Sequence, residues 1–130
     1  MARPKAFIVD DDPIFVKLLE NELNKANFTP YETYFSGEDC LENIGSKPKI
    51  VLLDFSLGGL NGLDVLRLIK DKCPSTDVIM LTAVEDKMVE EKCLEAGASN
   101  YINKNPNGLE RLRLEVFPKY KGGLFSFFKS

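Results

Sequence analysis

The chain has 130 residues, the length of one domain, and can bury a core without disulfide or metal staples. Its 44% hydrophobic and 28% charged content is that of an ordinary globular chain, and a net charge of −3 argues against a general nucleic-acid binder. The absence of histidine excludes a histidine-based triad, a histidine-ligated metal and a phosphohistidine relay within the chain.

Short apolar runs alternate with helical patterns along the chain. Ala6-Phe7-Ile8-Val9 ends abruptly in Asp10-Asp11-Asp12, as a fully buried strand with acids at its carboxyl end would. Asp12-Pro13 then opens a helix, Asp12 as cap and Pro13 in the first turn, with Phe15, Leu18, Leu19, Leu23 and Ala26 at helical spacing. Tyr31 to Phe35 reads as a more polar second strand, nearer an edge. Gly37 to Ile44 reads as a short helix closed by Gly45, with a turn at Lys47-Pro48.

Ile50-Val51-Leu52-Leu53 is a second buried run, and it too ends on an acid, Asp54. After the loop Gly58-Gly59-Leu60-Asn61-Gly62 comes a helix with Leu63, Leu66 and Ile69 on one face, stopped by Pro74. Val78 to Leu81 is a fourth strand ending on Thr82, and Asp86 to Ala96 a helix closed by Gly97. Tyr101-Ile102 is a short fifth strand ending on Lys104. Leu109, Leu112 and Val116 mark a last helix, which Pro118 should end or kink. Five strands alternating with five helices imply an α/β fold, a parallel sheet covered on both faces in a doubly wound arrangement.

The charge is uneven. Residues 119–130 hold Lys119, Lys121 and Lys129 and no acid, so the first 118 residues carry −6. This last stretch also contains Leu124 and three of the nine phenylalanines, Phe125, Phe127 and Phe128. Residues 1–120 therefore read as the domain and 121–130 as a Phe-rich tail, which either docks a partner or a membrane surface or folds back on its own domain. Cys40, Cys73 and Cys93 are scattered and read as reduced thiols. No apolar run approaches the roughly 18–20 residues of a membrane span, and no signal-peptide core is present, so a cytoplasmic location is expected.

In an open parallel sheet ligands bind beyond the carboxyl ends of the strands. Those ends offer Asp10, Asp11 and Asp12 from strand one, Asp54 from strand three, Thr82 from strand four and Lys104 from strand five. Clustered carboxylates repel, and a hard divalent cation such as Mg²⁺ relieves that repulsion. A carboxylate can then attack a phosphoryl group, with Thr82 and Lys104 supplying a hydrogen-bond donor and a cation for its oxygens. Taken singly, Asp12 is a helix cap, Thr82 an ordinary strand residue and Lys104 a solvated side chain. Their joint placement at four strand ends is what points to phosphoryl chemistry.

The chain resembles, up to about residue 120, the receiver domain of two-component response regulators. The resemblance rests on Ile8-Val9-Asp10-Asp11-Asp12, on Leu52-Leu53-Asp54 with Leu57 and Gly62 beyond it, on Leu81-Thr82-Ala83, and on Gly97-Ala98 followed by Tyr101 and Lys104. It implies the flavodoxin-like sheet order 2-1-3-4-5 and a phosphoryl group accepted on Asp54 from a histidine kinase or phosphotransfer protein. It also implies Mg²⁺ on Asp10, Asp11, Asp54 and the backbone carbonyl of Ser56, with Thr82 and Tyr101 as switch residues and Lys104 paired with the phosphoryl oxygens. The only catalysis implied is self-catalysed transfer to Asp54 and its autodephosphorylation.

The resemblance further implies a downstream protein bound on the face from Asp86 to Phe117, and it leaves a phosphorylation-dependent homodimer open. No output domain follows, so no direct DNA binding is expected. Three departures stand out: Lys104-Asn105 where the family has Lys-Pro, which removes the reason for a cis bond there; Gly58 where it commonly has proline; and Ser56 and Val84 two residues beyond Asp54 and Thr82. The last pair predicts slow autodephosphorylation.

Two rival readings compete. Asp10-x-Asp12 is similar to the nucleophile and acid of haloacid-dehalogenase-type phosphatases, but no acidic pair follows Lys104, and Asp54 would go unexplained. A receiver-like scaffold that never takes phosphate is disfavoured by the intact set Asp10, Asp11, Asp54, Thr82 and Lys104.

Overall fold

Four consecutive apolar residues leave a strand no polar face, so both of its faces must be covered. In the computed structural model, which describes residues 4–120, this run is β1 (Ala6–Val9), wholly buried at the middle of the molecule. The other strands are β2 (Tyr31–Tyr34), β3 (Ile50–Asp54), β4 (Asp77–Thr82) and β5 (Asn100–Asn103). All pair in parallel in the order β2-β1-β3-β4-β5, the expected doubly wound arrangement. The tail expected at 121–130 lies outside the described residues.

Successive side chains along each strand point to opposite faces, and the two cores follow that alternation. Ile8, Leu52 and Ile79 face α1 (Pro13–Lys25) together with Leu112, Val116 and Phe117 from the carboxyl-terminal segment. Phe7, Val51 and Met80 face the other way, toward α2 (Gly37–Asn43), α3 (Gly62–Lys72) and α4 (Lys87–Glu95). Cys40, Cys73 and Cys93 are buried as free thiols, and burial pushes the Cys40 thiol up to about 12.

Each of the five α-helices opens with a side-chain cap beyond a strand's carboxyl end. Asp12 accepts from the Ile14 amide at 3.0 Å, Ser36 from Asp39 at 3.1 Å, and Asn61 from Asp64 at 2.9 Å. Asp86 accepts from Met88 at 2.9 Å, and Asn105 caps α5 (Pro106–Arg111) by accepting from Gly108 at 2.8 Å. Each such cap is worth about 1 kcal/mol and fixes the entry of its loop.

Three expectations are corrected or sharpened. Leu18, grouped with the core face of α1, is 44% exposed, and Glu22 takes a buried place on that helix instead. The Glu22 carboxylate is matched by Arg113, whose Nε lies 3.0 Å away. The helix α2 is not closed by Gly45; a 3₁₀ turn follows, and the left-handed residue is Lys47 at φ +55. Pro118 does not stop the last helix, because α5 widens into a π turn (Leu112–Val116) and tightens into a 3₁₀ turn (Phe117–Tyr120). A proline lacks the N–H of a regular helix and crowds the carbonyl four residues back, and this change of winding carries the chain past it.

Candidate functional site

Sheet register places the chemistry. Val9 pairs with Leu53, Asp54 with Leu81, and Thr82 with Asn103, so the residues ending these strands lie side by side along one edge. The Phe55 amide donates to Leu81 at 2.8 Å and the Lys104 amide to Thr82 at 2.7 Å, extending the ladder past the last strand residues. Gly62 permits a further close approach. A Cβ there would stand 2.6 Å from Phe55 Cα and 2.7 Å from the Asp54 carbonyl oxygen, so glycine lets the start of α3 press against the end of β3.

Asp10 and Asp54 are almost fully buried, at 0% and 4% exposure, while Asp11 is open to solvent. One carboxylate oxygen from each of the three falls within 4.8 Å of the others. Lys104 Nζ lies 2.8 Å from Asp10 Oδ2 and 3.3 Å from Asp54 Oδ1. Its charge answers two carboxylates, and the ring of Phe15 faces it from the other side at 4.7 Å. The Asp12 amide donates to Asp10 Oδ1 at 2.9 Å, and the Ser56 amide to Asp54 Oδ1 at 3.1 Å. Asp54 Oδ2 takes no hydrogen bond among the described residues.

Burial, reinforced by Asp10, holds the Asp54 carboxyl above its usual range; Ser56 and Lys104 offset only part of this. Burial works against the Lys104 ammonium as well, but Asp10 and Asp54 outweigh it and leave the group more basic than usual. The site is therefore short of positive charge. Asp10 Oδ2, sealed from solvent, accepts no hydrogen bond of good geometry, and its compensation is the ion pair with Lys104. Three carboxylates converging on one spot, with a single ammonium paired to two of them, are a hard-oxygen donor set suited to a divalent cation such as Mg²⁺.

Thr82 is buried, yet its hydroxyl is turned away from the carboxylates. It donates to the Val84 carbonyl and accepts from the Val84 amide, both at 3.1 Å. The Tyr101 hydroxyl reaches the same carbonyl at 3.4 Å. Tyr101 and Thr82, with Phe55, Ser56, Val84 and Val89, border a cavity of about 190 Å³ next to the acidic cluster. On its outer side Tyr101 borders a cleft of about 350 Å³ with Glu85, Asp86, Glu90 and Arg111.

The structure thus brings Asp10, Asp11, Asp54 and Lys104 together and sets Thr82 and Tyr101 on a shared acceptor beside them. The Ser56 carbonyl accepts no hydrogen bond among the described residues, and the Ser56 amide holds Asp54. Thr29–Pro30 is the one cis bond among those residues, so Lys104–Asn105 is trans. Sequence reasoning missed Phe15, whose spacing marked it only as part of the α1 core face, and Asn105, noted as a missing proline rather than as a cap.

The family model of the response regulator receiver domain matches residues 6–116. A cyclic di-GMP phosphodiesterase of Thermotoga maritima is 33% identical over 123 residues, which are 95% of this chain and 33% of that protein. The chain thus spans about a third of the length of that relative. Among solved structures, the beryllium fluoride-activated receiver domain of DrrB aligns with a TM-score of 0.79 at 32% identity, covering 91% of this chain and 99% of that one. The activated amino-terminal receiver domain of Klebsiella pneumoniae RstA aligns at 0.73 and 32% identity, covering 85% and 97%.

Proposed function

The chain belongs to the response regulator receiver family, and on that premise we propose that it takes a phosphoryl group onto Asp54 from a histidine kinase or phosphotransfer protein. The observation that carries this reading is the pairing of buried Asp54, one oxygen unclaimed, with Lys104 at 3.3 Å and with Asp10 and Asp11 alongside. In the transfer, the free Asp54 oxygen bonds to phosphorus as the bond to the donor's nitrogen or oxygen breaks, and the donor keeps that electron pair. Lys104 meets the charge on the phosphoryl oxygens. The Ser56 amide fixes the rotamer of Asp54, and the Thr82 hydroxyl leaves Val84 to donate to a phosphoryl oxygen, with Tyr101 following. Asp10, Asp11, Asp54 and the Ser56 carbonyl would hold Mg²⁺, which would supply the positive charge that lets a carboxylate meet an anionic donor.

Two details favour this over the dehalogenase-type reading. Asp12 spends its carboxylate as the cap of α1, and Asp10, the nucleophile of that reading, has both oxygens engaged, Oδ1 by the Asp12 amide and Oδ2 by Lys104. The exposed Ile14 and Leu18 of α1 offer a phosphodonor an apolar landing beside the acidic cluster. Output, or a phosphorylation-dependent homodimer, uses residues 86–117, where Met88 and Leu114 are 69% and 64% exposed. Autodephosphorylation is slow, since neither Ser56 nor the exposed Val84 orients an attacking water well. The activity named for the Thermotoga relative belongs, on this reading, to the part of that protein beyond the shared third. No described helix is long and apolar enough to cross a membrane, which is compatible with a cytoplasmic protein.

Intact mass after incubation with acetyl phosphate tests the reading. One added phosphoryl group, dependent on Mg²⁺ and absent from Asp54→Ala, is expected. No adduct on the unmodified protein would favour the scaffold, and an adduct on Asp54→Ala that is lost from Asp10→Ala would favour the phosphatase type.

A further inference from the structure

Phe15, Leu19 and Glu22 are buried along one face of α1, at the spacing i, i+4 and i+7 of a core stripe. Phe15 and Leu19 suit such a stripe. Glu22 does not, because a carboxylate taken out of water keeps its charge only where a cation meets it. Arg113 meets it from the exposed side of the π turn, with Nε 3.0 Å from Glu22 Oε1 and Nη2 3.4 Å from Glu22 Oε2. The contact is two-pronged, one guanidinium nitrogen to each carboxylate oxygen.

An ion pair in this place is a poor device for stability alone. The desolvation of a buried carboxylate offsets most of what pairing returns, and apolar side chains of similar volume commonly hold two helices as well. What the pair adds is direction. Leu19 and Leu23 pack α1 against Leu112, Val116 and Phe117, and apolar contact of this kind is non-directional and tolerates sliding. A forked guanidinium on a carboxylate holds one register.

Both elements joined by this pair also carry the site. The Phe15 ring, in the first turn of α1, faces Lys104 Nζ, and Lys104 leads through Asn105 into α5 and on to Arg113. The two elements are pinned where they start. Asp12 caps α1 and its amide donates to Asp10 Oδ1, while Asn105 caps α5. Gly108 presses so close to the end of β5 that a Cβ there would overlap the Asn103 carbonyl oxygen. Farther along, seven residues and about 10 Å from Phe15, Glu22 and Arg113 tie the two together. The contacts close a ring: Phe15 to Lys104, Lys104 along the chain to Arg113, Arg113 to Glu22, and Glu22 along α1 back to Phe15.

Resting on the reading of Asp54 as the phosphoacceptor, we propose that Glu22 and Arg113 are positioning residues for phosphoryl transfer. The pair fixes the register of α1 so that the Phe15 ring stands behind the Lys104 ammonium and keeps it against Asp10 and Asp54. Neither residue touches the reacting atoms; both act through the ring. A slip of α1 by one residue's rise, about 1.5 Å, moves the ring off the ammonium and gives Lys104 room to leave the carboxylates.

Labelling rates of the full chain with Mg²⁺ and a range of acetyl phosphate concentrations test this. Glu22→Leu/Arg113→Met, which replaces the pair by apolar side chains, should melt like the unmodified chain yet label about three-fold more slowly at saturation, with the half-saturating concentration unchanged. Arg113→Lys, which keeps the charge and loses the fork, should fall between the two. In a Phe15→Leu background neither change should slow labelling further. A second readout involves no phosphate. In NMR spectra the Lys104 ε-methylene protons, identified with Lys104→Arg, should lie upfield under the Phe15 ring and return toward the position of a solvated lysine when the pair is replaced. An unchanged rate in a variant that melts normally, slowing that persists in full without the Phe15 ring, or a Lys104 resonance unmoved by loss of the pair would overturn the proposal. If Glu22→Leu/Arg113→Met does not fold, Arg113→Lys decides by the same comparisons. No labelling of the unmodified chain would instead overturn the phosphoacceptor reading, and the NMR comparison alone then shows whether the pair places the ring.

Discussion

The two ends of this sheet are made from the same apolar strands and closed in opposite ways. At the amino edge, polar groups meet their partners. The Thr76 hydroxyl donates to the Pro48 carbonyl at 2.7 Å, Tyr120 seals Asp77, and Phe28 packs against the rings of Phe117 and Tyr120. At the carboxyl edge, two buried carboxylates share one ammonium, and an Asp10 oxygen is left without a hydrogen bond. Burying charge that is incompletely matched costs stability, and natural chains retain such an arrangement where chemistry needs it. The amino edge holds the domain together; the carboxyl edge draws on that surplus.

The contrast can be tested from the strongest effect downward. Lys104→Ala removes the cation paired with Asp10 and Asp54 and is expected to slow labelling of Asp54 by acetyl phosphate about 10²-fold or more, measured by mass spectrometry over time. Tyr120→Phe acts at the other edge. It should lower unfolding free energy by about 1.5 kcal/mol in urea titration and leave the labelling rate unchanged.

Asp54→Asn should do the reverse of a usual core mutation. Because the folded chain holds the Asp54 carboxyl above its usual range, stability is lost as pH rises from about 4 through that raised value and stays lost at neutral pH. The variant is expected to be more stable than the unmodified chain by about 1 kcal/mol at pH 7, with the gap closing toward pH 4. Thermal melts across that range check both sign and window. The smallest effect belongs to Phe15→Leu. Removing the ring under Lys104 should slow labelling about three-fold, and the effect should vanish in a Lys104→Ala background, since the ring acts through the ammonium.

Much of this was legible in the chain itself. Apolar runs that stop at Asp10, Asp54 and Thr82 announce strand ends, because burial on both faces demands unbroken hydrophobicity and the ends alone can be polar. Parallel pairing then forces those ends to one edge. What the sequence hid depends on side-chain direction or distant partners. Nothing in the spacing of α1 tells a core phenylalanine from one lying under Lys104. Nothing in the sequence marks Glu22 as buried, because its partner, Arg113, is 91 residues away. The Thr82 hydroxyl, read as a donor for phosphoryl oxygens, rests on Val84, and a rotamer leaves no trace in composition. Pro118 left an end or a kink open, because the rule for regular helices does not foresee a chain that changes its winding.

The buried thiols carry a practical consequence. Cys40, Cys73 and Cys93 are all enclosed, and the Cys40 thiol is pushed up to about 12, so maleimide reagents, which consume exposed thiolate, should pass the native chain by. A fluorophore can therefore be attached through one new cysteine at exposed Met88 or exposed Lys47 without stripping the others, giving each end of the molecule its own optical reporter.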